Sequence, residues 1–185
     1  MATGIVLLTN AARQAVNAQI REGLKQEFSL SPSDVTLQQL TPHGFTRAEA
    51  ADARSYQPGD VIVPAADLKK DGLAKDRIYN VIGTDPKQGW ITVQDRAGGE
   101  AIHLALRQDG RLVGNLRVFK EEARDFAEGD RVRFTIADKG LGLINGARGS
   151  LEKLADDAVT IRLADGRNLD LPRDSLALRG MDHAY

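Results

Sequence analysis

The residues of this chain best suited to chemistry are its three histidines, and their spacing does not favour a metal or catalytic site. His43, His103 and His183 lie far apart in the sequence. They lack the i, i+4 spacing that places two metal ligands on one helix face. His103 falls in a predicted strand and is expected to be an ordinary, partly buried side chain. The chain has no cysteine and no serine in a G-x-S-x-G turn, so no catalytic residues are predicted.

A glycine-rich segment over residues 140–146 superficially resembles a dinucleotide-binding fingerprint. Its glycine spacing is wrong by one residue, and strand-like rather than helical sequence follows it. The chain also contains no G-x-x-x-x-G-K-[ST] motif to cradle a phosphate. The segment is therefore predicted to be a hairpin tip, where glycines permit a positive φ.

Composition and charge narrow the class of protein. The chain has 185 residues, 42% hydrophobic and 28% charged, with a formal net charge of −1. This hydrophobic content argues against disorder, and no apolar run approaches the ~20 residues that cross a bilayer. The absence of cysteine fits a reducing cytoplasm. We expect one large or two small globular domains without membrane insertion, and no general attraction to nucleic acid.

The first 55 residues are predicted to form a small α/β fragment. Gly4–Leu8 is a continuous apolar run typical of a buried strand. The helix after it carries an apolar stripe at every fourth position. That stripe comprises Ala12, Val16, Ile20, Leu24 and Phe28. Residues 29–45 are predicted to be loop with at most one short extended segment. Thr46 and Glu49 fit a capping box that opens a short helix.

From Tyr56 onward the pattern changes to short strands separated by turns. The predicted strands are 60–63, 77–82, 90–94, 101–104, 115–119, 130–135, 149–154, 158–163, 168–171 and 176–179. One short helix is predicted over 120–126, between the two sets of strands. The whole chain is therefore expected to have an α+β fold, a small α/β fragment followed by a β-rich region.

The two sets of strands resemble each other. Tyr56-x-x-Gly59-Asp60 recurs 70 positions later as Phe126-x-x-Gly129-Asp130. One interpretation is a duplication, with two SH3-like barrels over 56–125 and 126–185 after the segment 1–55. The other is that Gly-Asp before a strand is common turn chemistry, which leaves one barrel.

The order of motifs in the second half resembles RecD-like superfamily 1B helicases. A GDRV strand begins at Gly129, an N-G-x-x-G turn at Asn145, a DGR hairpin at Asp165, and the chain ends in Asp-His-Ala-Tyr. In that family these features belong to the SH3-like subdomain 2B, between helicase motifs IV and V. The opening L-T-N-A-A-R-Q-A-V-N sequence resembles the strand and helix of subdomain 2A. Together with Ser55-Tyr56-x-x-Gly59-Asp60-Val61, the combination is most similar to conjugative relaxase–helicases of the TraI (MobF) type.

The resemblance implies a non-catalytic segment of a larger enzyme. The relaxase histidines and tyrosines and the Walker motifs lie outside this segment. No cofactor is therefore implied for the chain itself, and ATP and Mg are implied only for a parent relaxase and ATP-dependent helicase. The implied roles are an internal translocation signal for type IV secretion and a contribution to single-stranded DNA binding in plasmid transfer. The implied location is the cytoplasm of a bacterial donor cell, with export of the parent to the recipient.

The same resemblance identifies a candidate secretion signal. Its pattern is glycine, an acid, arginine, an apolar residue, arginine, valine or phenylalanine, then threonine. The matching residues are Gly129, Asp130, Arg131, Val132, Arg133, Phe134 and Thr135. Strand alternation places Arg131, Arg133 and Thr135 on one face and the apolar pair in the core. We expect both guanidinium groups to point outward together.

Candidate nucleic-acid-binding residues come from the local charge and from the opening sequence that resembles subdomain 2A. Residues 131–153 hold five basic and two acidic side chains, a local charge of +3 in a chain of −1. The candidates are Thr9, Asn10, Arg131, Arg133, Lys139 and Arg148. Arginines here could bind phosphate or acidic partner groups, or simply keep a sheet edge soluble. Trp90 and Tyr79 could stack on bases, but core anchoring is the favoured interpretation of both.

The expected partners are single-stranded DNA, a type IV secretion coupling protein and the rest of the parent protein, with the chain itself monomeric. Two alternatives stay open. The chain could be the DNA-channel subdomain of an active 5′–3′ helicase. It could also be a stand-alone SH3-like adaptor that binds peptides.

Overall fold

A computed structural model describes residues 10–27, 29–107 and 110–185 of the chain. The predicted strand Gly4–Leu8, the candidate Thr9 and the stripe residue Phe28 lie outside the described residues. The helices are α1 (Asn10–Gln26), α2 (Arg47–Ala50) and α3 (Leu176–Arg179). The strands are β1 (Val35–Pro42), β2 (Val61–Pro64), β3 (Tyr79–Asp85), β4 (Trp90–Asp95), β5 (Ile102–Ala105), β6 (Leu116–Phe126), β7 (Arg131–Phe134), β8 (Arg148–Leu154), β9 (Ala158–Leu163), β10 (Asn168–Pro172) and β11 (Met181–His183).

These strands form two antiparallel sheets, so the coarse prediction of an α+β chain dominated by short strands is confirmed. One sheet has the order β1-β6-β2-β3-β4-β5 and the other β10-β9-β8-β7-β11. Over the described residues, the strand pairings leave both sheets open rather than closed into barrels. No helix within the described ranges is long and apolar enough to cross a membrane.

The chain divides into two compact units. One comprises Met1–Gln39 with Ala123–Tyr185, and the other comprises Leu40–Glu122. The chain passes between them inside β1 and again inside β6. One interpretation of the sequence divides the chain into three consecutive segments, after residues 55 and 125. The observed units are arranged differently along the chain, because α1 and the start of β1 belong to the unit that holds the second set of strands.

Each unit has its own apolar core, built from inward-facing strand residues. The unit over 40–122 packs Ile62, Val81, Ile91, Val93 and Leu104 beneath β2–β5. The other packs the corresponding faces of β7–β11, with Phe126, Phe134 and Met181 among its largest buried side chains. The side chains at alternate positions face outward, and these are available for recognition.

Helix α1 confirms the predicted helix, with three of its stripe residues half-buried. Val16, Ile20 and Leu24 share the inward face, while Ala12 is exposed. Predicted loop 29–45 contains the eight-residue strand β1, a longer extended segment than expected. The Thr46–Glu49 capping box is present, with each partner bonding the other's backbone N–H.

Two local predictions are wrong. Residues 120–126 belong to strand β6 and not to a helix. They extend beyond the part of β6 that pairs with β2 and lie beside β1 in the sheet, where Thr36 and Thr41 donate hydrogen bonds to Asp125 and Glu122. This tertiary pairing overrides a charged, locally helix-favouring sequence. Residues 176–179 form helix α3 and not a strand. Ser175 caps this helix by accepting a hydrogen bond from the Leu178 N–H.

The similarity between the two strand sets extends to their register. We call residues 56–119 the first repeat and residues 126–183 the second repeat. Val61 pairs with Asn80, and 70 positions later Arg131 pairs with Ser150. A β-bulge falls after Val81 and, at the same offset, after Leu151. Matching register and a matching irregularity favour duplication over coincidental turn chemistry.

Candidate functional site

The Gly-Asp step that opens each repeat is a structural turn. Gly129 has φ of 94° and Gly59 has φ of 97°, a region that L side chains rarely adopt. The carboxylate of Asp130 accepts a hydrogen bond of 2.7 Å from the Ala127 N–H. Asp60 does the same for the Gln57 N–H at 2.8 Å. Both residues are thus engaged by the turn itself.

Asp130 is fully buried and sits at the centre of a polar network. Arg21 of α1 donates from Nε to both carboxylate oxygens, at 3.0 and 3.1 Å, and the Tyr185 hydroxyl donates to Oδ1. His183 Nε2 lies 3.4 Å from Oδ2. Burial by itself would raise the pKa of Asp130, but the hydrogen bonds from these groups and the Ala127 N–H outweigh it and lower the pKa to about 2.

The first repeat places a histidine against its aspartate in a different way. His43 Nε2 lies 2.8 Å from Asp60 Oδ1. His43 follows β1, whereas His183 ends β11, so the two histidines come from unrelated positions in the chain. In the sequence these histidines only lie far apart and lack metal-ligand spacing, so neither contact was anticipated. Each contact joins distant segments and leaves no local pattern in the sequence.

Strand β7 has the predicted alternation. Val132 and Phe134 are fully buried in the core of the second repeat. Arg131, Arg133 and Thr135 face the other side, with Arg131 exposed. This confirms which face each residue occupies.

The three outward residues of β7 are nevertheless not equivalent. Arg133 lies 3.5 Å from the buried carboxylate of Asp182, which also bonds Arg124. The Thr135 hydroxyl donates to the Gly180 carbonyl at 2.8 Å. The expectation that both guanidinium groups are presented outward together therefore needs correction, because Arg133 is half-buried beside a carboxylate.

Arg131 instead shares a groove with two other arginines. Across the sheet, Arg131 lies opposite Ser150, and Ser150 lies opposite Arg162. With Arg148 they line a groove of about 380 Å³. We call the set Arg131, Arg148, Ser150 and Arg162 the arginine face. Among the described residues, none of its three guanidinium groups has a hydrogen bond or ion pair.

The structure thus brings two of the predicted nucleic-acid candidates together in one groove. Arg133 lies opposite Arg148 in the strand register but contacts Asp182, and Thr9 lies outside the described residues. Arg131 and Arg148 line the groove, while Lys139 lies exposed on the loop before β8 and outside it. Asn10 begins α1, but its side chain is not described. Arg162 was missed by the sequence analysis, although its outward position in the alternating strand β9 was a usable signal.

The first repeat does not carry the arginine face. Its equivalents of Arg131 and Ser150 are Val61 and Asn80, which pair with each other in the same register. Val61 is fully buried. The positive groove is therefore particular to the second repeat and is not a requirement of the shared fold.

A second groove, of about 570 Å³, lies in the first repeat. Its charged lining residues are Asp67, Lys69, Lys70, Asp71 and Arg111. The Asp67 carboxylate accepts a hydrogen bond from the Lys75 N–H at 2.9 Å. Acidic and basic side chains are interleaved here, so this groove discriminates neither against anionic ligands nor against cationic ligands.

The aromatic residues divide between core and surface. Tyr79 is buried as expected, and its hydroxyl accepts a hydrogen bond from the Ala74 N–H. The expectation that Trp90 anchors the core is wrong, because its side chain is 45% exposed. His103 is also exposed rather than partly buried. No group of three or more metal-ligating side chains occurs within the described ranges.

Comparison with known proteins yields limited similarity. No family model matches the chain. A cysteine–tRNA ligase from Bifidobacterium longum (strain NCC 2705) is 25% identical over 155 residues. The alignment covers 80% of this chain and 28% of that protein, so the chain spans less than a third of its relative's length. This degree of similarity does not show a family.

Proposed function

We propose that this chain is a non-catalytic recognition module of a conjugative relaxase–helicase. In this proposal each repeat is a variant of the SH3-like fold of helicase subdomain 2B. The module acts as an internal translocation signal for type IV secretion and contributes to single-stranded DNA binding. The meander β7–β10, with β11 added beside β7, supports the fold assignment.

The observation that carries the proposal is the arginine face. It presents three guanidinium groups, without a partner in the part of the chain that the structure describes, on one side of a sheet whose other side is a packed core. Each guanidinium can bind a phosphate or a carboxylate through two parallel hydrogen bonds. The sheet holds the backbone of the three arginines in fixed relative positions. The entropy cost of binding is therefore mainly that of ordering the arginine side chains themselves.

The geometry also limits how the seven-residue signal can be recognised. Gly129 and Asp130 form the turn, and Val132 and Phe134 fill the core. Arg133 is held by Asp182, and Thr135 is held by the Gly180 carbonyl. A partner that recognises the folded module can therefore contact Arg131 freely, but not the whole linear segment. We propose that the recognised surface extends across the sheet to Arg148 and Arg162 rather than along the strand.

Charge reversal on this surface tests the proposal. The double variant Arg131→Glu/Arg162→Glu should lower the transfer of a reporter fused to the chain by about tenfold or more, because like charges oppose docking. The matched control Lys139→Glu/Lys153→Glu makes the same change in net charge on exposed residues outside the groove. It should transfer normally. Circular dichroism and a urea midpoint establish that both variants fold. Normal transfer by a folded Arg131→Glu/Arg162→Glu protein would overturn the signal assignment.

A further inference from the structure

The outward surface of β4 and β5 carries an aromatic patch within the first repeat. The Trp90 ring centroid lies 6.2 Å from that of His103, with the rings tilted by 46°. Thr92 lies directly opposite His103, and their side chains are 3.0 Å apart. Beside them, Ile82 at the bulge is 47% exposed. We call Trp90, Thr92 and His103, together with Ile82, the aromatic face.

The second repeat shows that the fold does not need this aromatic pair. There, Ala158 and Asp170 occupy the positions equivalent to Trp90 and His103. The cross-strand hydrogen bond is retained, because the Thr160 hydroxyl donates to Asp170 at 2.6 Å. The same scaffold thus accepts a methyl group where the first repeat exposes an indole, and packing of the sheet does not account for Trp90.

Two cations lie close in the chain to the strands that carry the aromatic face. Lys87 lies in the turn that leads into β4. Arg107 lies two residues after β5, next to Leu106, whose N–H donates to the Gly89 carbonyl. Over the ranges that the structure describes, neither side chain has a hydrogen bond or ion pair. The nearby Asp85 carboxylate accepts hydrogen bonds from two backbone N–H groups of the turn, those of Lys87 and Gln88. An exposed indole with cations nearby in the chain suits a ligand with both a flat apolar ring and a negative charge.

We propose that the aromatic face is a base-stacking site for single-stranded DNA. A base would lie against the Trp90 indole, and the neighbouring phosphates would meet Lys87 and Arg107. This inference deepens the DNA-binding part of the proposed function, but it rests on a different repeat and different chemistry. The arginine face binds phosphates, whereas the aromatic face requires bases.

The test uses Trp90 itself, which is the single tryptophan of the chain. A short oligodeoxythymidylate should quench its fluorescence. An abasic oligonucleotide of the same length and charge should not. By anisotropy of a labelled oligodeoxythymidylate, Trp90→Ala should weaken binding about ten- to a hundredfold, the loss expected for one stacked base. Trp90→Phe should retain most of the affinity because it keeps an aromatic face.

The outcomes separate this inference from the proposed function. If the oligonucleotide binds without changing Trp90 emission, or if Trp90→Ala binds like the wild type, the aromatic face is not a stacking site. Quenching that persists in Arg131→Glu/Arg162→Glu supports the aromatic face even when the arginine face fails its own test. Emission that changes with protein concentration alone would show that a second copy covers this face, and would overturn the inference.

Discussion

The buried carboxylate of Asp130 makes the stability of the second repeat depend on pH in a predictable way. Its pKa is about 2 in the folded chain, against an ordinary value of 3.8. Each pKa unit corresponds to about 1.4 kcal/mol, so ionised Asp130 contributes roughly 2 kcal/mol to the free energy of unfolding. Because the folded pKa is the lower one, this contribution is complete above about pH 4 and is lost as the pH falls towards 2.

Asp130→Asn removes the ionised carboxylate while keeping the shape of the side chain. At neutral pH we expect a loss of about 2–4 kcal/mol, because Arg21 and the Ala127 N–H lose an acceptor that is fully desolvated. Arg21 retains its ion pair with Asp34, which limits the loss. The difference between wild type and variant should shrink by roughly 2 kcal/mol on going from pH 6 to pH 2, as the wild-type carboxyl also becomes neutral.

Urea unfolding followed by far-UV circular dichroism at a series of pH values measures this difference. Asp165→Asn is the matched control. Hydrogen bonds from the Arg167 backbone and side chain lower the pKa of Asp165 too, but this carboxylate is exposed to solvent. Its replacement should leave the urea midpoint nearly unchanged at every pH. A wild-type advantage over Asp130→Asn that stays constant from pH 6 to pH 2 would refute the reasoning.

Two further substitutions test the packing that holds the arginine face. Gly180→Ala should destabilise the chain by about 1–3 kcal/mol, because a Cβ there would lie 2.7 Å from buried Ile136. Gly114→Ala, which meets nothing within 4 Å, is its control in the urea midpoint. Phe134→Ala should cost about 3–5 kcal/mol by leaving a cavity under β7. Unfolding midpoints equal to wild type in both test variants would show that the core is packed differently.

Strand alternation explains why part of the site could be predicted from the sequence. In β7 the apolar residues Val132 and Phe134 occur at every second position between arginines, and a period of two settles which face each side chain occupies. The turn before the strand is equally local, because it needs only a glycine with positive φ and an adjacent aspartate. Predictions that depend on neighbouring residues alone therefore agree with the structure here.

The arginine face could not be assembled from the sequence because it depends on pairing between strands. Arg162 reaches the groove only through the register of β8 with β9, and a bulge shifts that register after Leu151. The sequence also does not reveal which arginines lack an ion-pair partner, because Arg133 contacts Asp182, which lies 49 residues away in the chain. Non-local contacts of this kind carry no signal in local composition.

Trp90 was misassigned because the prediction considered its apolar neighbours and not the alternation of β4. Ile91 and Val93 lie on one face, whereas Trp90 alternates with the polar residues Thr92 and Gln94 on the other. The structure buries Ile91 and leaves Trp90 outside, consistent with β-branched residues packing well on a pleated inner surface. Residues 120–126 of β6 were expected to be helical because their charged side chains favour a helix locally, whereas in the sheet they lie beside β1 as a strand.

The most direct test of the central claim, that the arginine face is the anion-recognition surface of this module, is an NMR titration with an abasic oligonucleotide. Such a ligand offers phosphates without bases, so the aromatic face cannot contribute. The largest backbone amide shifts should fall on Arg131, Arg148, Ser150 and Arg162. They should weaken as salt rises, because phosphate binding releases counterions. Shifts confined to the groove around Lys69 and Lys70, with the arginine face unaffected, would contradict the claim.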